Sequence, residues 1–143
     1  MRSLKKGREK KFLFGVTFYP DQWPQSIWKE NFVKIRKSGF NIVRFGEMAW
    51  DWIEPEEGSF TWKGLDMAMK LAHEEGIKVI LGLATSQAPV WLIRKYPRVR
   101  PVSHTGVIYP EYGPRPNICR DSETYKRLAK RYITAMVSNS TMC

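Results

Sequence analysis

Carboxylates and flat aromatic rings recur together wherever a short apolar run of this sequence ends. Tyr19, Asp21, Gln22 and Trp23 close the run FLFGVTFY (Phe12 to Tyr19). Arg44, Glu47, Trp50 and Trp52 close FNIVRF (Phe40 to Phe45). Trp91, Tyr96, His104, Tyr109, Tyr112 and Arg115 follow IKVILGL (Ile77 to Leu83). Indole and phenol rings cover apolar ring faces, while Asp, Glu, Arg and Gln exchange hydrogen bonds with hydroxyls. A concave site of this makeup suits a polar ligand, sugars among them, without identifying one.

Several of these residues have a second reading. Glu47 either contacts ligand or pairs with Arg44 and braces the sheet. Trp28, Trp52 and Trp62 read as packing residues, while Trp23, Trp50 and Trp91 stay open between packing and ligand contact. Other chemistries lack their signatures. There is no G-x-S-x-G nucleophile turn, and the two histidines, His73 and His104, stand in no H-x-x-x-H spacing. With no C-x-x-C either, metal catalysis has no support.

The elements that must position these residues alternate. The run Phe12 to Tyr19 reads as a strand buried on both faces. Pro24 opens a helix carrying Trp28, Phe32 and Ile35 on one face, with Gly39 as its stop. Phe40 to Phe45 is the second strand. Leu65, Ala68, Met69 and Ala72 mark the second helix up to Gly76, and Ile77 to Leu83 is the third strand. A long Pro-, Gly- and Tyr-rich segment follows to Asp121, with one or two helical turns at Val90 to Lys95. Ser122 then caps a helix with Tyr125, Leu128, Ala129, Tyr132, Ile133 and Met136 on one face.

The order βαβαβα demands parallel strands joined by right-handed crossovers. The unit from the second to the third strand has about 35 residues, near the roughly 31 of an eight-unit barrel. The expected fold class is α/β, with about three of the βα units of which a (β/α)8 barrel has eight. A dinucleotide fold is disfavoured because the first strand ends in YPDQWP, where G-x-G-x-x-G would lie. Three regions follow: a basic tail 1–11, the partial barrel 12–137, and a polar tail 138–143.

The formal charge is +10, from 24 basic and 14 acidic residues. Half of that excess lies in the N-terminal tail, and Lys126, Arg127, Lys130 and Arg131 fall on what reads as the solvated arc of the last helix. Nucleic acid is therefore disfavoured as a partner. No apolar run is long enough to span a membrane, and the first eleven residues lack a secretory core, so a cytoplasmic location is expected. Cys119 and Cys143 are read as free thiols.

Six motifs in order resemble the N-terminal part of the glycoside hydrolase family 42 β-galactosidases. FYPDQWP (Phe18 to Pro24) is similar to the family's Y-Y-P-E-Q-W-P and VRFGEMAW (Val43 to Trp50) to V-R-I-G-E-F-A-W. EPEEG (Glu54 to Gly58), APVWL (Ala88 to Leu92), KYP (Lys95 to Pro97) and the Arg115 to Cys119 segment follow in family order. The resemblance covers about Phe14 to Val137. It implies a (β/α)8 barrel that removes terminal non-reducing β-D-galactose by a retaining mechanism, in which one carboxyl group protonates the leaving oxygen and a second attacks the anomeric carbon.

The resemblance places those two glutamates after strand four and on strand seven, so the catalytic pair is expected beyond Cys143 and the 143 residues are expected to be inactive alone. Arg115 matches a family arginine that helps bind galactose, and the candidate substrate contacts are Arg115, Glu47 and Trp50. Cys119 matches a cysteine that, in some members, joins three later cysteines around a structural zinc; no cofactor is otherwise required. Pro116, Asn117 and Ile118 depart from the Arg, His and Tyr of many members. A β-galactoside is the implied substrate and a homo-oligomer the implied state of a full-length parent. The alternative is a basic module in which the tail, Arg94, Lys95, Arg98 and Arg100 contact phosphates.

Overall fold

A computed structural model of the protein describes residues 12–110 and 118–140. The basic tail, Tyr112 and Cys143 lie outside the described residues. Three parallel strands, β1 (Gly15–Thr17), β2 (Ile42–Phe45) and β3 (Lys78–Leu81), stand side by side in chain order. Parallel neighbours require a crossover between them. The main crossover helices are α1 (Trp28–Lys37) between β1 and β2, and α3 (Lys63–Glu74) between β2 and β3. Two short helices, α2 (Trp50–Ile53) and α4 (Val90–Lys95), follow the ends of β2 and β3, and α5 (Glu123–Ser140) closes the order.

The period-two geometry of a strand sorts its residues between faces. Val43 and Phe45 are buried beneath the helices, and their register partners Val79 and Leu81 share that side. Ile42 and Arg44 point to the other side with Lys78 and Ile80, where Ile80 is 50% exposed. The expectation of a first strand buried on both faces is thus corrected. Among the described residues only one face of the sheet is covered, and β1 is three residues long. Phe12, Leu13 and Phe14 precede it as irregular, exposed chain held by the Asn41 side chain. That amide accepts from the Phe14 N–H at 3.0 Å and donates to the Phe12 carbonyl at 2.7 Å.

The helices follow their sequence pattern. Trp28 and Phe32 are buried on α1, Leu65, Ala68 and Ala72 on α3, and Tyr125, Leu128, Ala129, Tyr132 and Met136 on α5. Spacings of three and four put each set on one stripe. Pro24 precedes a single 3-10 turn, Gln25–Ile27, and the α-helix proper starts at Trp28. The last helix runs to Ser140, past the boundary expected at Val137, because Ser138, Asn139 and Ser140 continue its backbone without a Gly or Pro to stop it. No helix among the described residues is long and apolar enough to cross a membrane.

One buried charge ties these pieces together. Glu54 is fully buried after α2. Its carboxylate accepts from the Trp50 indole at 2.8 Å and from the Gly58 N–H at 2.7 Å, and it pairs with the Arg131 guanidinium of α5. Its backbone carbonyl accepts from the Trp91 indole of α4 at 2.8 Å. Glu57 adds a second anchor, taking a hydrogen bond from the Tyr96 hydroxyl at 3.0 Å and an ion pair from Lys95 at 2.6 Å. The Lys95 ammonium, before all else, holds the Glu57 carboxyl below the ordinary carboxylate range. Arg131 therefore does not belong to the solvated arc of α5: it lies at the edge of that arc and turns inward to two carboxylates.

Removing one partner of a buried pair leaves the other charged and unpaired. Arg131→Met should lower the unfolding free energy by about 2–4 kcal/mol, somewhat below the figure for a fully buried pair because the arginine is partly exposed. Denaturant unfolding followed by circular dichroism measures it. Lys126→Met, which breaks only an exposed pair with Glu123, should leave the midpoint in place. Equal shifts in the two variants would show that Glu54 needs no cation.

Candidate functional site

In parallel α/β architectures the strands present their following loops at one rim, where ligands gather. That rim here brings together Asp21 and Gln22 after β1, Glu47 and Met48 after β2, and Gln87 after β3. A cleft of about 430 Å³ opens between these loops, lined by Asp21, Gln22, Met48, Asp51, Trp52 and Gln87. Gln22 reaches across it to the Met48 sulfur at 3.4 Å.

Glu47 sits at the end of β2 because the neighbouring backbone leaves room for it. A Cβ at Gly82 would lie 2.5 Å from the Glu47 Cγ, so any other residue there would displace the glutamate. The carboxylate contacts the Arg44 guanidinium, which stands on the open face of the sheet. Neither carboxylate oxygen reaches water, and neither receives an aligned hydrogen bond. Glu47 is thus ion-paired yet retains unfilled acceptor positions. The sequence left bracing and ligand contact open for this residue; the pair with Arg44 is present, and it does not use up the carboxylate.

Asp21 has the same character. One of its carboxylate oxygens is buried without a donor. Burial raises its pKa, the charges of Asp51 and Glu47 add to the rise, and a hydrogen bond from its own backbone N–H opposes it. The rim therefore concentrates negative charge from the loops after β1 and β2 over a partly desolvated floor. Ala84, just past β3, holds a left-handed backbone (φ 52°) while buried, a conformation unfavourable for a residue with a Cβ. Its neighbour Thr85 offers a carbonyl to the buried Tyr125 hydroxyl of α5, fixing the start of the third loop.

The tryptophans divide differently from their sequence reading. Trp50, expected to contact substrate, is a core residue: it is 1% exposed, its ring stacks on Tyr132 at 4.7 Å, and its only N–H is spent on Glu54. That expectation is corrected, because the ring packs in the core against Tyr125 and Tyr132 of α5. Trp91 is likewise committed, to the Glu54 carbonyl. Trp23 is 53% exposed and lines a separate groove beside α1. Trp52, read as packing, packs edge-on against Trp28 at 6.1 Å and also borders the cleft. Trp62 stacks on Phe60 as a packing residue.

Arg115 lies outside the described residues. Cys119 is partly exposed, carries a free thiol and donates its backbone N–H to the Val99 carbonyl at 2.6 Å. Among the described residues no group of three His, Cys, Asp or Glu side chains is placed to hold a metal ion. Sequence reasoning missed Asp51, Gln87 and Gly82 as parts of the rim. Only the close approach of the β2 and β3 loops reveals them.

The family profile described as β-galactosidase, Glyco_hydro_42, matches residues 17–140. The chain is 40% identical over 124 residues to the β-galactosidase BgaA of a Thermus species, and 33% identical over 123 residues to BgaB of a Geobacillus species. These alignments cover 87% and 86% of this chain but only 19% and 18% of the relatives, so it spans about a fifth of their length. The crystal structure of a β-galactosidase from the psychrophilic Marinomonas ef1 superposes with a TM-score of 0.82 at 34% identity, covering 87% of this chain and 19% of that one. A β-galactosidase from the Antarctic haloarchaeon Halorubrum lacusprofundi gives 0.80 at 29% identity, covering 85% and 18%.

A carboxyl whose folded pKa is raised destabilises the fold once it ionises, so its penalty is absent below the unfolded pKa and complete above the folded one. Asp21→Asn should therefore raise the melting temperature at neutral pH, and the gain should vanish as pH falls below the ordinary carboxylate range. A gain that persisted in acid would mean that the rise in Asp21 has another origin.

Proposed function

The chain belongs to the glycoside hydrolase family 42 β-galactosidases, and from that premise we propose that its rim forms the substrate-binding side of a site that releases terminal β-D-galactose from non-reducing ends. The observation that carries this reading is the superposition of 87% of the chain on a protein named a β-galactosidase, at a TM-score of 0.82 and 34% identity. The chemistry of the rim supports it. Sugar hydroxyls donate hydrogen bonds, and Glu47 and Asp21 hold buried carboxylate oxygens that accept none from the protein. Gln22 and Gln87 bring amides that both donate and accept.

In this reading Glu47, held by Arg44, accepts from a galactosyl hydroxyl, and Arg115 presents its fork of donors to hydroxyl oxygens from the third loop. Arg44 acts as a positioning residue for Glu47. Retaining hydrolysis needs two carboxyl groups about 5 Å apart, an acid that later serves as base and a nucleophile. By resemblance those come from strands four and seven of a complete barrel, so the 143 residues contribute binding and not bond cleavage. Cys119 would join a structural zinc only with three further cysteines.

Two measurements test this reading. The pure 143-residue polypeptide should not hydrolyse a chromogenic β-galactoside; turnover that disappeared in the Asp21→Asn, Glu47→Gln double variant would move catalysis into this chain. In a complete enzyme carrying this segment, Arg115→Ala should lower kcat/KM by about tenfold to a thousandfold, the scale of one to three lost hydrogen bonds. Arg98→Ala, a change to an exposed residue of the same segment, should have no effect. Wild-type kcat/KM in Arg115→Ala would remove that residue from the site.

A further inference from the structure

Ala84 is buried just beyond β3 at φ 52°, a backbone that glycine adopts freely and alanine does not. Such a conformation persists only where its surroundings hold it. A side-chain donor stands on this turn: the Tyr125 hydroxyl of α5 donates to the Thr85 carbonyl. Tyr125 is itself fixed. Its ring lies 6.3 Å from that of Trp50, whose indole is spent on Glu54, and its backbone N–H donates to the Ser122 hydroxyl at 3.4 Å. Burial, against the opposing charge of Arg120, pushes the Tyr125 pKa up, so the hydroxyl keeps the proton it donates. What the turn joins is the rim. Gly82, two residues before Ala84, packs against Glu47, and Gln87, three residues after it, lines the cleft. A change of Ala84 to an ordinary negative φ would redirect the chain on its carboxyl side, where Gln87 stands.

We propose that Tyr125 is a positioning residue for the third rim loop: by bonding the Thr85 carbonyl it holds Ala84 left-handed, and so sets where Gln87 meets a substrate hydroxyl. The turn is held by a helix of the core and not by its own sequence, since glycine at position 84 would need no clamp. Tyr132 marks the contrast. Its ring also packs on Trp50, yet its hydroxyl is buried with no hydrogen-bond partner among the described residues. Two tyrosines of one helix thus share a packing role, and one of them carries a bond to the rim. The part of the proposal that concerns substrate rests on the galactoside reading; the part that concerns the turn does not.

The test is Tyr125→Phe, which removes the hydroxyl and keeps the ring. In the 143-residue chain it should displace the Gln87 amide resonances while those of α1 and α3 stay in place. In a complete enzyme carrying this segment it should lower kcat/KM about tenfold, through KM and with little change in kcat, because the loop binds and does not cleave. Ala84→Gly is the rescue: once glycine supplies the φ, adding Tyr125→Phe should lower kcat/KM by less than about twofold. Tyr132→Phe should leave both the resonances and the kinetics as in the wild type. Unmoved Gln87 resonances in Tyr125→Phe, an equal loss in the alanine and glycine backgrounds, or an equal loss in Tyr132→Phe would each overturn the proposal and leave Tyr125 to packing alone. Resonances that move as expected beside an unchanged kcat/KM would uphold the clamp on the loop and count against the galactoside reading.

Discussion

The contact on which the arrangement depends is the buried carboxylate of Glu54. An ionised carboxylate taken out of water loses several kcal/mol of hydration, and it persists only where cations and donors replace that hydration. Here the replacements come from different stretches of chain: the Trp50 indole from α2, the Gly58 N–H from the following loop, and the Arg131 guanidinium 77 residues away on α5. The Trp91 indole then docks α4 on the Glu54 carbonyl. Because one group must satisfy all of them, α2, α4 and α5 are placed relative to one another by hydrogen-bond geometry, and the loops of the rim inherit that placement. Apolar packing alone is non-directional and would tolerate a sliding α5.

This also explains which parts of the fold were legible in the sequence. Strands and helices declare themselves through local periodicity, so β1 to β3, α1, α3, α5 and even the short α4 appear within a few residues of their observed places. The turn Trp50–Ile53 has no period to show, since four residues make little more than one turn. Glu54 and Arg131 were equally opaque. A glutamate in a Pro- and Gly-containing loop, and an arginine at the edge of a charged arc, take on their roles only when the chain brings them together across 77 residues. The membership of the rim cleft depended on the same kind of long-range meeting, which is why Asp51 and Gln87 went unread and Trp50 was misassigned.

The misreading of β1 has a different origin. Its residues and those of β3 have the composition of strands covered on both sides, as the filled interior of a closed barrel requires. Only the helix-facing side is covered among the described residues, so Ile80 stands exposed on the other. The pattern of side chains therefore describes the larger sheet in which relatives hold the same segment, and burial in this chain describes three strands of it. The two disagree on the open face and agree on the helix-facing side.

Acceptor accounting separates carboxylates whose oxygens the protein fills from those that keep unfilled acceptor positions. Glu54 and Glu57 lie seven and ten residues after Glu47, yet each has donors or cations on its oxygens. Glu47, one of whose oxygens pairs with Arg44, and Asp21 keep buried oxygens that receive no aligned hydrogen bond, and burial together with two neighbouring carboxylates raises the Asp21 pKa. A fold selected only for stability would fill those positions or replace the groups, since an unsatisfied buried acceptor costs about 1–3 kcal/mol. In the proposed function these unfilled acceptors at the strand-end rim take the hydroxyl donors of the ligand. The filled carboxylates of Glu54 and Glu57 tie α2, α4 and α5 to one another instead.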